Sequence, residues 1–295
     1  MDILSLRLFL RVADLGVING AARDLGLSPA SASARLAKLE ETTGFRLFNR
    51  STRAVSLTTD GAAFLPYAQQ AIETLEVGLN INTGEEALPK GLLRIAMPGS
   101  FGRIHVIPVL AEFQKRYPQV TLDLRLSDEI IDVVEGAYDV IIRNAELADS
   151  SLISRKLGTD RRILVASPDY LQTHGTPKTP NDLLQHHCIS LRDSHRWQFE
   201  NGESVSTPHT ISVNDGEAMR LLIENGMGIG IKSLWNADES LKSGKLVKVL
   251  PDYPLLTKSS IWILYPSNRI VAPKVRAIID YLLEQFQPLA PWDKD

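Results

Sequence analysis

Apolar side chains return at helical spacing from the very start of the chain. Leu4, Leu8, Phe9, Val12 and Ala13 form one stripe along residues 4–14, with Arg7, Arg11 and Asp14 turned elsewhere, the pattern of an amphipathic surface helix. A shorter pattern follows over residues 19–25, where Asn19 stands in a capping position and Ala21, Ala22 and Leu25 form a small inner face that lets another helix approach closely. Gly26 supplies a left-handed stop, with Leu27 in the turn after it. The third helix has the clearest start: Ser28 is a good N-cap, and Pro29 falls at the first helical position, where its missing N–H costs nothing. It runs to about Glu41, and Leu36 and Leu39 are its only large apolar residues, so Ser31, Ser33, Arg35 and Lys38 look outward. After Gly44, residues 45–57 read as two short strands around a basic turn.

From Thr58 to about residue 87 the spacing predicts a long helix, with Leu65, Ala68, Ile72, Leu75 and Leu79 in a heptad seam. Pro66 interrupts that pattern, because an interior proline costs about 3 kcal/mol, so a kink or a later start is expected there. The seam reads as a pairing surface for a second chain, with an ordinary packed helix as the alternative. Residues 88–91 (LPKG) have the composition of a hinge. Beyond them strands alternate with helices, which implies a parallel sheet with crossover helices. Strands are expected at 92–96, 120–126, 139–143, 163–167, 211–213, 228–232 and 261–265, and helices at 106–117, 129–135, 217–225 and 273–286.

At 295 residues, with 44% hydrophobic and 23% charged side chains, the chain suits two or three globular domains rather than a disordered or fibrous protein. The N-terminal stretch is broken by Arg7, Arg11 and Asp14 and lacks the apolar run of a signal peptide; no later stretch reaches 18 apolar residues. A soluble, cytoplasmic protein without membrane association is expected. One cysteine, Cys188, excludes an intramolecular disulfide and fits a reducing compartment. The net charge of -3 argues at first against nucleic acid. Divided along the chain, it is uneven: residues 1–60 carry eight basic and six acidic side chains, the remainder 24 and 29.

Residues 6–61 (LRLFLRVADLGVINGAARDLGLSPASASARLAKLEETTGFRLFNRSTRAVSLTTDG) resemble the winged helix-turn-helix domain of the LysR-type transcriptional regulators. The marks are Ala21-Ala22 with Leu25, Leu27-Ser28, Leu39-Glu40, Gly44-Phe45-Arg46-Leu47-Phe48 with Arg50, and Leu57-Thr58. The resemblance continues through MPGSFGRIHVIP, RYPQVTLDLRLSD, YDVIIR, LVASPDYL, HHCISLR, VNDGEAMRLLIENGMGIG and the closing helix, and so covers essentially the whole chain. It implies an α/β multidomain protein: a winged helix-turn-helix at 1–59, a linker helix at 60–88 that pairs two chains, and a periplasmic-binding-protein-like effector domain at 89–295. The effector domain would have one subdomain at about 91–161 with 268–295, and a second at about 162–267. Such proteins are typically homotetramers that regulate transcription when a small molecule binds; no cofactor is implied. The recognition helix departs from the common pattern. Many members carry Gln-Pro after the turn serine and Ser-Arg further on, where this chain has Pro29-Ala30 and Ser33-Ala34, with arginine displaced to Arg35.

In a helix-turn-helix the start of the second helix meets base edges in the major groove, which makes Ser28, Pro29, Ala30, Ser31, Ser33 and Arg35 the expected readers of double-stranded DNA, with Asn19 and Lys38 beside them. Arg46, Arg50 and Thr52 are expected on the backbone and Arg53 in the minor groove. This set is poor in bidentate readers, so specificity is expected from paired half-sites and DNA shape. In the effector domain Met97–Arg103 follows a strand and precedes a helix, where Ser100, with Phe101 beside it, and nearby amides suit an anion. The resemblance places Ser127, Arg143, Arg192, Trp197, Asn214 and Asp215 around the same cleft. A carboxylate held by Ser100 and amides, with charge from Arg143 or Arg192, a wall from Trp197 and a neutral bond from Asn214, is the expected chemistry for an organic acid. The plainer readings are Ser100 as a helix cap, Asn214-Asp215-Gly216 as a turn followed by a helix cap, and Arg143 as the partner of an acidic neighbour across the cleft.

His186, His187 and Cys188 resemble a metal cluster, but adjacent residues point different ways and metal binding is not expected. Gly226-Met-Gly-Ile-Gly230 does not match GxGxxG, and close packing is the better reason for its glycines. No GxSxG, GxxxxGK[ST] or HExxH occurs, so no nucleophile or metal centre is offered. A ligand-responsive regulator is the leading reading; a solute-binding protein and an α/β enzyme with an N-terminal interaction module stand as alternatives.

Overall fold

The computed structural model describes residues 2–50, 55–80, 88–129, 138–146, 152–192, 194–266 and 271–293. The chain divides into two compact units, residues 1–88 with 269–273 and residues 89–268 with 274–295.

The first unit contains α1 (Ile3–Leu15), α2 (Ile18–Asp24), α3 (Pro29–Thr43), β1 (Phe48–Arg50), β2 (Val55–Leu57) and α4 (Thr59–Asn80). Its helix ends follow local chemistry. Asp2 accepts from the Ser5 N–H to start α1, Ser28 accepts from the Ser31 N–H to start α3, and Gly16 and Gly44 close the two helices in the left-handed region. Asn19 does not cap α2: the helix begins at Ile18, two residues earlier than an Asn19 cap would start it, after extended Val17, because Ile18 is drawn onto the core. Leu8, Phe9, Val12, Leu36, Leu39 and Leu47 are fully buried around the small Ala21-Ala22 face, each large side chain contributing about 1.5–3 kcal/mol of burial. The Glu40 carboxylate reaches from α3 to accept from the Leu47 and Phe48 N–H groups, which fixes the antiparallel β1–β2 wing against the helix.

Helix α4 runs through Pro66 without a break, although Pro66 removes one helical hydrogen bond. Two members of the expected seam point inward: Ala68 and Ile72 are buried in this unit's own core, and Leu65 packs partly against it. The side chain of Leu79 and residues 81–87 lie outside the described residues. The inner part of the stripe is therefore an intramolecular contact, as the plainer alternative requires.

The second unit runs β3 (Gly91–Met97), α5 (Gly99–Phe101), a π-turn (Gly102–Val106), α6 (Ile107–Arg116), β4 (Val120–Leu126), β5 (Val140–Ala145), β6 (Leu152–Thr159), β7 (Arg162–Ala166), α7 (Pro168–His174), β8 (Cys188–Leu191), β9 (Arg196–Gln198), β10 (Ser204–Ser206), β11 (His209–Val213), α8 (Gly216–Glu224), β12 (Ile229–Ser233), α9 (Leu234–Lys242), β13 (Val247–Val249), β14 (Ser260–Pro266) and α10 (Pro273–Phe286). The strands form two five-stranded sheets, β4-β3-β5-β14-β6 and β11-β8-β12-β7-β13, the centres of lobe I and lobe II. Neither is purely parallel, contrary to expectation. β14 is antiparallel to β5 and β6, and β7 to β12 and β13, because the strand by which the chain enters lobe II, β7, and the one by which it returns to lobe I, β14, each run against the other strands of their sheet. β14 also belongs to lobe I, whereas the expected boundary near residue 267 assigned it to lobe II. The expected helix at 129–135 falls almost wholly outside the described residues. Gly228, just before β12, and Gly230, within it, serve close packing: a β-carbon on Gly228 would meet the His187 carbonyl oxygen at 2.5 Å and one on Gly230 would meet Ile223 at 2.6 Å.

Candidate functional site

In the first unit, the start of α3 is open. Ser28, Pro29 and Ala30 are exposed, Ser31 and Ser33 half-buried, and Lys38 and Arg46 exposed; Asn19 is exposed on α2. Because the large apolar residues of α3 all face inward, its outer face is low and polar, suited to a groove. Arg35 is engaged by Asp2, with Nη1 3.1 Å from the carboxylate. Arg50 lies in β1, paired in register with Val55, while Thr52 and Arg53 lie outside the described residues.

In the second unit a cavity of about 500 Å³ opens between the lobes. Of the expected effector residues, Ser100, Ser127, Arg143, Arg192 and Trp197 line it. Trp197 is nearly all committed to the core of lobe II. Phe101 is fully buried instead, edge-on to Trp235 at 5.3 Å and Trp292 at 5.1 Å. Asn214 is exposed and outside the lining, and Asp215 caps α8 by accepting from the Ala218 N–H at 2.7 Å. Arg192 holds a positive φ of 55°, a strained conformation for a side chain of its size. Its carbonyl oxygen accepts from Ser190 and Ser212, and its N–H donates to Val213.

The polar end of the cavity is built by residues that sequence reading missed. Asp128, just after β4, accepts from the Gly99 N–H through one carboxylate oxygen at 2.8 Å and from the Gly216 N–H through the other at 2.7 Å. Gly99 opens the helical run of lobe I and Gly216 opens α8 of lobe II, so one carboxylate joins two helix starts, where free N–H groups favour negative charge. Lys232, on β12, is 5% exposed and donates to the Gly216 carbonyl oxygen. Burial pushes its ammonium down to about 8, against the pull of Glu217 and Asp128. The Ser100 hydroxyl is buried without a hydrogen-bond partner, a state that costs about 1–3 kcal/mol. Asn236, also on the cavity wall, leaves both amide atoms without a bond of good geometry, although it stands beside the Glu217 carboxylate. A lysine inside the apolar run of β12 was the available signal for Lys232; nothing local marked Asp128.

The His186–Cys188 segment has a structural explanation. Tyr170 stacks on His174 at 4.4 Å, shares a hydrogen bond with His186 and accepts from the His187 N–H, and burial pushes the Cys188 thiol up to about 12. Among the described residues, no group of three or more His, Cys, Asp or Glu is placed to hold a metal ion. Among them also, no helix is long and apolar enough to cross a membrane.

Residues 3–62 match the family described as the lysR-family bacterial regulatory helix-turn-helix protein, and residues 86–287 match the LysR substrate binding domain. The chain belongs to the LysR family of transcriptional regulators. Similar LysR-family proteins match along nearly the whole length. The HTH-type transcriptional regulator DmlR of Escherichia coli K12 is 34% identical, over 95% of this chain and 93% of its own. The structure of CrgA, a LysR-type regulator from Neisseria meningitidis, is 28% identical with a TM-score of 0.62, covering 97% of this chain and 99% of that one. Full-length AphB, a virulence activator of Vibrio cholerae, is 29% identical with a TM-score of 0.60, covering 97% and 100%. These LysR relatives are transcriptional regulators rather than enzymes, and the family joins a DNA-binding domain to an effector-binding domain, as the two sets of elements in this chain do.

Proposed function

We propose that this LysR-family protein binds specific DNA sequences and regulates transcription in response to a small carboxylate-bearing organic acid held between lobes I and II. The observation that carries the effector reading is the polar end of the cleft. Two helix starts already grip a carboxylate there, that of Asp128, so the geometry suits this group. Ser100, Arg143 and Arg192 line the same cavity. Ser127 and Trp197 would complete the wall, with Phe101 supporting Ser100 from behind and Asn214 and Asp215 shaping the loop before α8.

On the DNA side, Ser28, Pro29, Ala30, Ser31 and Ser33 would enter the major groove, with Arg35 near a base or phosphate and Asn19, Lys38, Arg46 and Arg50 along the backbone. Thr52 and Arg53 would complete the wing contacts. Two copies would pair along the outer face of α4 and assemble as a tetramer in the cytoplasm, with domains close to 1–59, 60–88 and 89–295. Effector binding would shift the population between two lobe arrangements and so change half-site spacing, which requires unequal effector affinity in the two arrangements.

Two measurements test the reading. A band shift on upstream DNA should show salt-dependent binding, and Arg50→Ala should flatten the salt slope by about 1. A thermal-shift screen of small organic acids, amino acids and aromatic carboxylates should pick out carboxylates. DNA binding without any carboxylate response would leave the regulator and remove the acid.

A further inference from the structure

Asp128 stands where a ligand's carboxylate would be expected. Its two oxygens take the N–H groups of Gly99 and Gly216 separately, so it does not merely cap one helix. It spans the cleft from lobe I to the start of α8, a helix of nine residues. Around this bridge polar groups of both lobes stand close together. From the point where a β-carbon on Gly216 would stand, the Ser100 hydroxyl is 3.3 Å away, the Asp128 carboxylate 3.4 Å and the Lys232 ammonium 3.8 Å. Ser100, 6% exposed and without a hydrogen-bond partner, lines the same cavity with an unused donor.

We propose that Asp128 is a built-in competitor of the effector: it occupies the two amides that would otherwise hold an incoming carboxylate, and it latches the cleft shut until that carboxylate displaces it. The proposal rests on the organic-acid reading above. Three features of the site support it. The bond geometry is that of a free carboxylate on two amides, so an external carboxylate can reproduce it without rebuilding the site. The buried Ser100 hydroxyl gains a partner only when a new acceptor enters. Lys232, whose charge already interacts with Asp128, offers the displaced side chain a cationic partner, so leaving the amides does not strand a buried charge. An internal group that fills the site reduces apparent affinity to the fraction of time the site stands free. The latch thereby sets the effector concentration to which the protein responds.

The test uses the full-length protein with formate and acetate as probes and sodium chloride at equal ionic strength as control. Asp128→Ala removes a carboxylate and leaves a formate-sized space between the two amides. Formate should stabilise this variant against heat with a saturable dose dependence that chloride does not share, and should leave the wild type unmoved at the same concentrations. Asp128→Asn keeps the volume and one acceptor, so it remains informative if the alanine variant does not fold. It should bind acetate at least about tenfold more tightly than the wild type, read from the fluorescence of Trp197 and Trp235 at the cleft wall. Equal acetate affinity in wild type and Asp128→Asn, or equal responses of Asp128→Ala to formate and chloride, would overturn the latch. Formate uptake by Asp128→Ala with no carboxylate ever binding the wild type would overturn both the latch and the organic-acid reading, since nothing then displaces Asp128. Carboxylates that bind wild type and Asp128→Asn alike would overturn the latch alone and keep the organic-acid reading.

Discussion

A β-carbon at position 61 would overlap the carbonyl oxygen of Leu47. Gly61 lies in the first turn of α4, where its N–H donates to the Thr58 hydroxyl, and the absence of a side chain lets α4 rest directly on the chain entering β1. Gly61→Ala must move backbone rather than a flexible side chain, so its cost should exceed that of ordinary overpacking, about 1–3 kcal/mol. Chemical unfolding of the variant should show a lower midpoint, with DNA binding lost in parallel. A midpoint within error of the wild type would show that α4 can lift away freely.

The Asp2–Arg35 ion pair holds back a cation from the DNA-facing helix. Asp2 also caps α1, so the informative change is Asp2→Ser, which keeps a capping oxygen and removes the charge. Exposed pairs of this kind are weak, and freeing Arg35 should strengthen DNA binding by about two- to fivefold at low salt, with a steeper salt slope. Fluorescence anisotropy against salt measures both. Unchanged affinity would place Arg35 away from the phosphates and bases.

His105 should govern part of the acid sensitivity of the effector unit. It stands against Phe101, Trp235 and Trp292 with ring centroids 5.1, 5.5 and 4.6 Å away, and burial pushes its pKa from the usual 6.5 down to about 4. The unfolded chain binds more protons between these values, so the stability contribution is whole above about pH 6.5 and lost as pH falls toward 4. Allowing for its partial exposure, the loss should be about 2 kcal/mol. His105→Phe should flatten that part of the stability profile. If wild type and variant decline together from pH 6.5 to 4, the ring is not the cause.

Lys232 predicts the opposite end of the scale. Its folded value near 8 lies below the ordinary 10.5 for lysine, so folding releases a proton between those limits and stability rises with pH through that window. It is lost as pH falls through about 8 and stays lost below. Wild type minus Lys232→Met should therefore change by up to about 3 kcal/mol between pH 7.5 and 10.5, read by urea unfolding. A difference independent of pH would mean that Lys232 keeps its proton throughout.

Locally determined features were legible in the sequence. The start of α3 at Ser28 and Pro29 and the whole of α10 were readable because a cap, a proline and an apolar stripe decide them within a few residues. Asn19 was misjudged because packing of Ile18 outranked a good capping residue. The antiparallel strands of the two sheets were not legible: β14 pairs with β5 from more than a hundred residues away, and no local pattern records that distance. In the cleft, Ser100, Ser127, Arg143 and Arg192 were reached from their positions after strands and from family resemblance. Asp128 and Lys232 were not, because their chemistry lies in which distant backbone groups they meet.

Lobe II is inserted between two neighbouring strands of lobe I. The chain leaves at the end of β6 and returns at β14, which pairs with β6 along its length, and at the threshold Arg162 donates to Ser259. Translation therefore imposes an order on assembly. Lobe I must wait on the ribosome with the gap between β5 and β6 vacant while the whole of lobe II is made, and only the emergence of β14 closes it. A nascent chain stalled before residue 260 holds a finished lobe II on an unfinished lobe I.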